Sequence, residues 1–376
     1  MTGAMYAAIS GLKAHMNKLN VISNNIANVN TYGYKTQRTI FSDSIYTTLS
    51  SGSNGTQTAG AVNPSQIGYG VEMSSVDLDM SSGTFSPTGR DMDCMIMGDG
   101  FFLVGDKDLT FDASNADTLT SLSLTRVGNF EFKADGYLSD ANGNVVYGFL
   151  CTGVVKPGAN GEEGGVVFSD QLVPISLPKL VVTTDADGKT TKSVGYPSVN
   201  DKNQLVPAEG DFLGMDSIAI DPVTGIITGT SKDTKDVITI GVIAMGNVTN
   251  PSGVTHTSGP YYQANMGAGD LQISLMGGVA GSMRICNKVD ENTTADTAET
   301  FTYVNKSLAE GKDQPDGMMI FDAGTTELMT GGLEMSKTDL ATEISEMITT
   351  QRGYQANTRI ITVTDSMLEE LVNLKR

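Results

Sequence analysis

The side chains that most often carry out chemistry are scarce in this chain and lie far apart. It has two histidines, His15 and His256, and three cysteines, Cys94, Cys151 and Cys286, among 376 residues. A nucleophile activated by an imidazole, or a metal held by several histidines, needs such groups close together. We therefore predict no catalytic residues and no metal site. We interpret the cysteines as buried thiols, because an odd number at distant positions forms no disulfide framework.

Three short motifs have only part of a ligand-binding pattern. Residues 98–100 and 267–269 begin like dinucleotide loops, but both lack the third glycine and neither opens a helical pattern. Residues 140–144 have the first spacings of a calcium loop, but Val145 replaces its glycine and Cys151 replaces its bidentate glutamate. We interpret all three as turns, and we predict no cofactor and no enzymatic activity.

Composition narrows the class of protein further. The chain has 24 basic and 43 acidic residues, a net charge of −19, which argues against binding the phosphate backbone of nucleic acid. Its 43 glycines favour many short strands joined by tight turns. There is no run of about eighteen apolar residues, and no small-residue cleavage site follows the N-terminus. We expect no membrane insertion and no cleaved signal peptide.

Both ends of the chain carry apolar stripes at helical spacing, and these stripes predict a pair of terminal helices. The N-terminal stripe consists of Met5, Ile9, Leu12, Met16, Leu19, Ser23 and Ile26. The C-terminal stripe consists of Leu340, Ile344, Met347, Tyr354, Ile361, Leu368 and Val372, with a second row at Ile360, Val363, Met367, Leu371 and Leu374. No acidic residue precedes Asp43, whereas residues 331–376 are slightly acidic, so the two helices should attract each other.

Local signals predict where these helices begin and end. Asn28, Asn30 and Gly33 tolerate positive φ and should end the first helix, and the hydroxyl of Ser336 should cap the second with Asp339 three residues later. The two helices bury too little apolar surface to offset their conformational entropy, and the first is rich in asparagine. We expect disordered termini in the free monomer, with burial completed by neighbouring subunits. The alternative is two ordinary amphipathic helices packed on a globular core.

The middle of the chain predicts β structure. Asp99-Gly100, Asp135-Gly136 and Asn142-Gly143 border apolar or alternating segments, as in hairpins. We predict a connector at 32–70 that includes an uncharged stretch at 50–64, a discontinuous β domain at 71–150 and 210–330, and a small inserted β domain at 151–209. The segment 271–323 gives only weak strand signals. The fold class is mainly β with paired terminal helices at 1–31 and 331–376.

Three segments resemble the bacterial flagellar rod and hook axial proteins: Ser23 to Lys35, Gly98 to Phe102, and Gly332 through Gln351-Arg352-Gly353-Tyr354-Gln355-Ala356-Asn357 to the C-terminus. Within this family, Asn63 to Val71 and Ser82 to Asp93 resemble segments of hook proteins. The resemblance implies a curved, flexible homopolymeric tube outside the cell that transmits motor torque. Coiled-coil-like helices would form its inner, channel-lining domain, and β domains would lie outward.

The resemblance also implies partners: other copies of the chain, the distal rod protein, the hook–filament junction protein, the hook cap and the flagellar type III export apparatus. It makes these residues candidates for assembly contacts: Leu12, Leu19, Asn24, Asn25, Ile26, Asn28, Asn30, Thr31, Gly33, Tyr34, Lys35, Asp339, Gln351, Arg352, Tyr354, Gln355, Ala356 and Asn357. The alternatives are a distal rod protein within the same family and, from a different class, a secreted β-rich adhesin or enzyme.

Overall fold

The computed structural model describes residues 2–52, 54, 60–107, 121–155, 165–169, 172–184, 190–199, 205–206, 208–232, 235–269, 271–274, 283–286, 299–300, 303–304, 317–320 and 327–374. The chain divides into two compact units. The first contains Met1–Thr31, Lys35–Asp79 and Lys337–Arg376, and the second contains Tyr32–Tyr34 and Met80–Ser336. The predicted fold class is confirmed as mainly β with one helix at each end.

The first unit pairs two long helices with two β-ribbons. Its elements are α1 (Thr2–Ala27), β1 (Gln37–Asp43), β2 (Tyr46–Ser50), β3 (Ser65–Gly68), β4 (Val71–Leu78) and α2 (Leu340–Asn373). Burial alternates along β1 and β4, which pair antiparallel, because successive side chains in a strand point to opposite faces. Every residue of β2 and β3 is exposed. Part of the predicted stretch 50–64, at 53 and 55–59, lies outside the described residues.

The second unit is built from short strands. They are β5 (Phe85–Pro87), β6 (Asp93–Met97), β7 (Phe101–Gly105), β8 (Ser123–Thr125), β9 (Gly128–Asn129), β10 (Glu131–Phe132), β11 (Leu138–Ser139), β12 (Val145–Val155), β13 (Gly165–Phe168), β14 (Val173–Pro174), β15 (Lys179–Thr184), β16 (Thr190–Gly195), β17 (Ser198–Val199), β18 (Leu205–Val206), β19 (Asp211–Phe212), β20 (Met215–Ile220), β21 (Ile226–Ser231), β22 (Val237–Ile243), β23 (Met245–Val248), β24 (Thr255–His256), β25 (Tyr261–Gln263), β26 (Leu271–Ser274), β27 (Met283–Cys286), β28 (Glu299–Thr300), β29 (Tyr303–Val304), β30 (Gly317–Ile320), β31 (Glu327–Thr330) and β32 (Gly332–Glu334). A single turn of 3-10 helix spans Pro251–Gly253.

Strand β12 connects most of this unit, because it pairs antiparallel with β7, β11, β13, β14 and β22 along its length. The strands β20, β21 and β22 continue the sheet as an antiparallel meander. Strands β15, β16 and β19 form a separate three-stranded sheet. Most of 271–323, for which strands were only weakly predicted, lies outside the described residues.

The core of the second unit is formed largely by buried apolar side chains of its strands, including β6, β7, β12 and β22. Every residue of β7 is buried, and Phe102 packs edge to face on Phe130 with ring centroids 5.0 Å apart. Cys94 and Cys151 are buried free thiols, as predicted. Burial raises the pKa of Cys151 to about 12, so this thiol stays protonated at neutral pH. The side chain of Cys286 lies outside the described residues.

The structure confirms that the motifs at 98–100 and 140–144 are turns. Gly98 and Gly100 have φ values of 114° and 122°, which side chains disfavour. Oδ1 of Asp140 accepts hydrogen bonds from the backbone N–H groups of Asn142 and Asn144, at 2.9 and 3.0 Å. Its carboxylate therefore organises the turn locally. Among the described residues, no three His, Cys, Asp or Glu side chains are grouped as a metal site would require.

Replacing Phe130 by alanine should destabilise the second unit, because the side chain is fully buried and packs edge to face on Phe102. We expect a loss of about 3–5 kcal/mol in the free energy of unfolding, measured by urea titration. Val237→Ala is the control, since Val237 is 75% exposed on β22, and should cost less than about 1 kcal/mol. Equal losses for the two variants would contradict the assignment of the core.

Candidate assembly surface

The two helices of the first unit lie antiparallel, with residues near the start of one beside residues near the end of the other. Lys18 forms an ion pair of 2.9 Å with Glu346, while Gly11 lies against Asn357. A Cβ atom added at Gly11 would lie 2.7 Å from Nδ2 of Asn357, closer than side chains tolerate. Gly353 of α2 likewise lies against the ring of His15. Glycine on each helix therefore allows close approach.

The row of α1 that contacts α2 differs from the predicted apolar stripe. It contains Gly11, His15, Lys18 and Asn25, and the buried Ala8 and Ile22 continue its spacing. These positions lie one residue before each stripe position from Ile9 to Ile26. One residue turns a helix by about 100°, so the stripe faces sideways and is only partly covered. On α2 the matching row is also mostly small or polar, with Glu343, Glu346, Thr350, Gly353 and Asn357.

The side chain of Asn25 is buried, with 1% of its surface exposed, and it hydrogen-bonds to two other elements. Its Nδ2 donates to the carbonyl oxygen of Gln37 at 2.9 Å and to Oε1 of Glu343 at 3.0 Å. Its Oδ1 accepts from the N–H of Gln37 at 3.1 Å. The side-chain amide of Asn25 thus connects α1 to both β1 and α2. Its donors and its acceptor are all hydrogen-bonded, which offsets the cost of burying a polar group.

Glu343 is the acidic group at the centre of this contact. Burial raises its pKa above the ordinary value, and the hydrogen bond from Asn25 opposes that shift. Nearby Glu346 raises the pKa further, whereas Lys18 lowers it. Burying this carboxylate in ionised form costs free energy, so the helix contact is less stable when Glu343 is charged.

Large apolar side chains lie on the outside of the helix pair. On α1 they are Tyr6, Ile9 and Met16, and on α2 they are Leu340, Ile344, Ile348, Ile360, Val363, Met367, Leu371, Val372 and Leu374, all more than a third exposed. A soluble helix pair normally buries such residues and exposes polar ones. In this pair many large apolar side chains are exposed instead, and exposed apolar surface of this extent is typical of an interaction site.

The ends of the helices are set by local hydrogen bonds. Asn28 donates to the carbonyl and side-chain oxygens of Asn24, and Thr31 donates to Asn28. Of the three residues expected to end α1 through positive φ, only Gly33 has it, at 67°. Its N–H donates to the carbonyl oxygen of Glu334 at 2.8 Å.

The predicted cap of α2 at Ser336 is wrong. Asp339 is the N-cap, and its Oδ1 accepts from the N–H of Ala341 at 3.1 Å. Hydrogen bonds from the hydroxyl of Thr342 and from that N–H lower the pKa of Asp339. The helix starts later than expected, and the hydroxyl of Thr342 supplies a second donor to Asp339.

The predicted contact residues fall into three groups. Asn25, Gly33 and Lys35 are buried within the subunit. Partly covered ones are Leu12, Leu19, Ile26, Asn28, Tyr34, Tyr354 and Asn357. Exposed ones are Asn24, Asn30, Thr31, Asp339, Gln351, Arg352, Gln355 and Ala356. Hydrogen bonds at the helix end bring together Asn28 with Asn24, and Thr31 with Asn28.

Several residues of the helix contact were not predicted from the sequence. Gly11, His15, Gly353 and Glu343 lie in it, yet none belongs to an apolar stripe. A glycine inside a helical pattern is itself a signal of close packing, because it lowers helix propensity, and this signal marks Gly11 and Gly353. Nothing local marks Asn25 as the partner of Glu343. None of the described helices has the length and hydrophobicity needed to cross a membrane.

Comparison with known proteins gives this arrangement a context. Residues 5–35 match the family described as "Flagella basal body rod protein", and residues 329–374 match "Flagellar basal body rod FlgEFG protein C-terminal". A Bacillus subtilis protein named flagellar basal-body rod protein FlgG is 31% identical over 376 residues, which cover 100% of both chains. The chain belongs to the flagellar rod and hook protein family. The matched segments contain nearly all of α1 and α2.

Family members named as hook proteins are also similar to this chain over its whole length. The flagellar hook protein FlgE of Borreliella burgdorferi is 26% identical over 477 residues, covering 100% of both chains. FlgE of Rhizobium meliloti is 27% identical over 429 residues, covering 100% of this chain and 99% of its own. The chain is therefore a structural protein of the flagellar axis, and the family resemblance is confirmed.

Asn25→Ala should loosen the helix pair, because it removes three hydrogen bonds and leaves Glu343 buried without its donor. We expect a loss of about 2–4 kcal/mol, measured by urea titration followed by helical circular dichroism. Asn20→Ala, an exposed position on the same helix, is the control and should change stability by less than about 1 kcal/mol. If both variants behave alike, Asn25 does not hold the elements together.

Glu343→Gln should remove a pH dependence from the helix pair. Because the folded pKa of Glu343 is raised above 4.5, its contribution is most favourable below that pH and is lost as pH rises through the folded value. The glutamine keeps an oxygen for Asn25 and has no charge. Stability of the variant should exceed that of the wild type at pH 7 and approach it at pH 4. Exposed Glu369→Gln is the control, and an identical pH profile for all three proteins would contradict the prediction.

Proposed function

We propose that the chain is the subunit of the bacterial flagellar hook, which assembles with its own copies into a curved, flexible tube. The observation that carries this proposal is the outward apolar surface on both helices, from Tyr6 to Met16 and from Leu340 to Leu374. A monomer in water gains nothing by exposing such residues along two paired helices. Neighbouring copies would cover them, as a self-assembling axial protein requires.

One observation favours the hook over other parts of the axis: segments 63–71 and 82–93 resemble those of hook proteins. The relatives named hook protein from Borreliella burgdorferi and Rhizobium meliloti match this chain from end to end, as the FlgG relative does, so these matches are compatible with both parts. In the proposed tube, the helical segments 1–31 and 331–376 line the channel. The β segments 71–150 and 210–330 lie outward with the insert 151–209, and 32–70 connects them.

The partners follow from the same proposal. The tube would sit on the distal rod protein, grow under a hook cap and end at the hook–filament junction protein. Export through the flagellar type III apparatus would place it outside the cell. The terminal helices pair within one subunit, and neighbouring copies would complete their burial, which is incomplete in the free subunit.

A second candidate is the distal rod protein, favoured by the Bacillus subtilis relative named FlgG, which is 31% identical over both full lengths. Rod and hook differ in a visible property. A hook tube is curved and changes its curvature with conditions, whereas a rod is straight. Electron microscopy of tubes assembled from the purified chain distinguishes the two, and uniformly straight tubes would reject the hook assignment.

Ile348→Asp should block assembly while leaving the monomer folded, since Ile348 is 47% exposed on α2 and would be covered by a neighbouring copy in the proposed tube. We expect the critical concentration, measured by sedimentation, to rise at least about tenfold, because a charge would be buried. The same substitution at Val237, 75% exposed on β22, is the matched control and should leave assembly near wild type. Normal tubes from Ile348→Asp would contradict assembly through these helices.

A further inference from the structure

The exposed side of α1 carries a regular row of side chains. The row is Tyr6, Ile9, Lys13 and Met16, at intervals of three, four and three residues, which keeps them on one face. The three apolar members are 68%, 37% and 46% exposed. Lys13 is the only charged residue in this row. No acidic residue precedes Asp43, so the positive charge has no neighbour of opposite sign in α1.

The last third of α2 has a row with matching spacing. Val363, Met367, Glu370 and Leu374 follow one another at intervals of four, three and four residues. The three apolar members are 53%, 50% and 82% exposed, and Glu370 lies between them on the same face. Neither Glu370 nor Lys13 forms an ion pair with any of the residues that the structure describes.

These two rows cannot meet within one subunit. The contacts of Gly11 with Asn357 and of His15 with Gly353 place Lys13 level with about Gln355. Glu370 lies about fifteen residues further along α2, a distance of about 22 Å at 1.5 Å per residue. Contact between the rows therefore requires a second copy displaced along the helix axis.

We propose that in the polymer the row 363–374 of α2 docks antiparallel on the row 6–16 of α1 in a neighbouring copy. Antiparallel alignment with Glu370 beside Lys13 also sets Met367 beside Met16 and Leu374 beside Ile9, since both rows then have the same intervals. This inference rests on the proposed function and specifies which surfaces of that polymer meet.

The antiparallel direction of this contact is compatible with growth into a tube. Within one subunit α1 and α2 are already antiparallel, so an antiparallel contact between copies keeps every copy pointing the same way. Two different surfaces meet, and the displacement along the axis does not close on itself. Such head-to-tail interfaces generate open helical polymers. The apolar neighbours exclude water around Lys13 and Glu370, and the charge pair fixes the register.

Charge reversal tests the pairing. Lys13→Glu or Glu370→Lys alone should raise the critical concentration of the full-length chain at low salt by about three- to tenfold, and the double reversal should return it to within about twofold of wild type. Glu369→Lys is the matched control, because Glu369 is exposed but lies about 100° around the helix from Glu370. It should not rescue Lys13→Glu. Rescue by Glu369→Lys, or none by Glu370→Lys, would overturn the proposal.

Crosslinking gives a readout that does not depend on assembly strength. A chain carrying Met16→Cys and Met367→Cys, oxidised with diamide after assembly, should form a ladder of linked copies. A link within one subunit is excluded, since the two positions are about 22 Å apart and a disulfide needs Cα atoms within about 7 Å. Met16→Cys with Glu369→Cys is the control and should link poorly.

The outcomes separate this inference from the proposed function. If wild-type chain forms tubes but the Met16 and Met367 pair does not link, only the docking of these rows is wrong. If the wild-type chain forms no tubes and linked copies are absent, both the proposed function and the docking of these rows are wrong. A ladder in curved tubes supports both.

Discussion

The close, polar contact between α1 and α2 determines what the rest of the helix pair can do. Gly11 and Gly353 let the helices approach, and Asn25 connects both helices to β1. Because small and polar residues occupy the contact, the large apolar side chains have no place in it and point outward. The outward surface is thus a direct consequence of what fills the inner row. A contact built from leucines would have buried them and left a self-sufficient monomer.

Much of the architecture could be predicted from local patterns. The stripes from Met5 to Ile26 and from Leu340 to Val372 located both helices, which span Thr2–Ala27 and Leu340–Asn373. Asx-Gly pairs located turns such as the one organised by Asp140. These features depend on residues near one another in sequence, where propensity and periodicity act directly.

The helix contact could not be predicted in the same way. Hydrophobic periodicity identifies the largest apolar face of α1, but α2 packs on the neighbouring row, which contains Gly11 and the spacing of the buried Ala8 and Ile22. The close approach that Gly11 allows, and not side-chain hydrophobicity, accounts for the use of this row. The cap lies at Asp339 and not at Ser336, and Thr342 adds a second hydrogen bond there. The contact of Asn25 with Glu343 joins positions 318 residues apart, which no local pattern encodes.

A buried carboxylate such as Glu343 weakens the helix pair when ionised, so stability alone does not explain its presence. Register does explain it. Apolar contacts between helices are nearly indifferent to a shift of one heptad, whereas the hydrogen bond from Asn25 and the ion pair of Lys18 with Glu346 are satisfied in only one alignment. In a polymer, an error of alignment in one subunit would displace its outer rows relative to every neighbour. Polar groups at the inner contact therefore fix the positions of the apolar groups outside, and a modest loss of stability in each subunit gives a uniform surface for assembly.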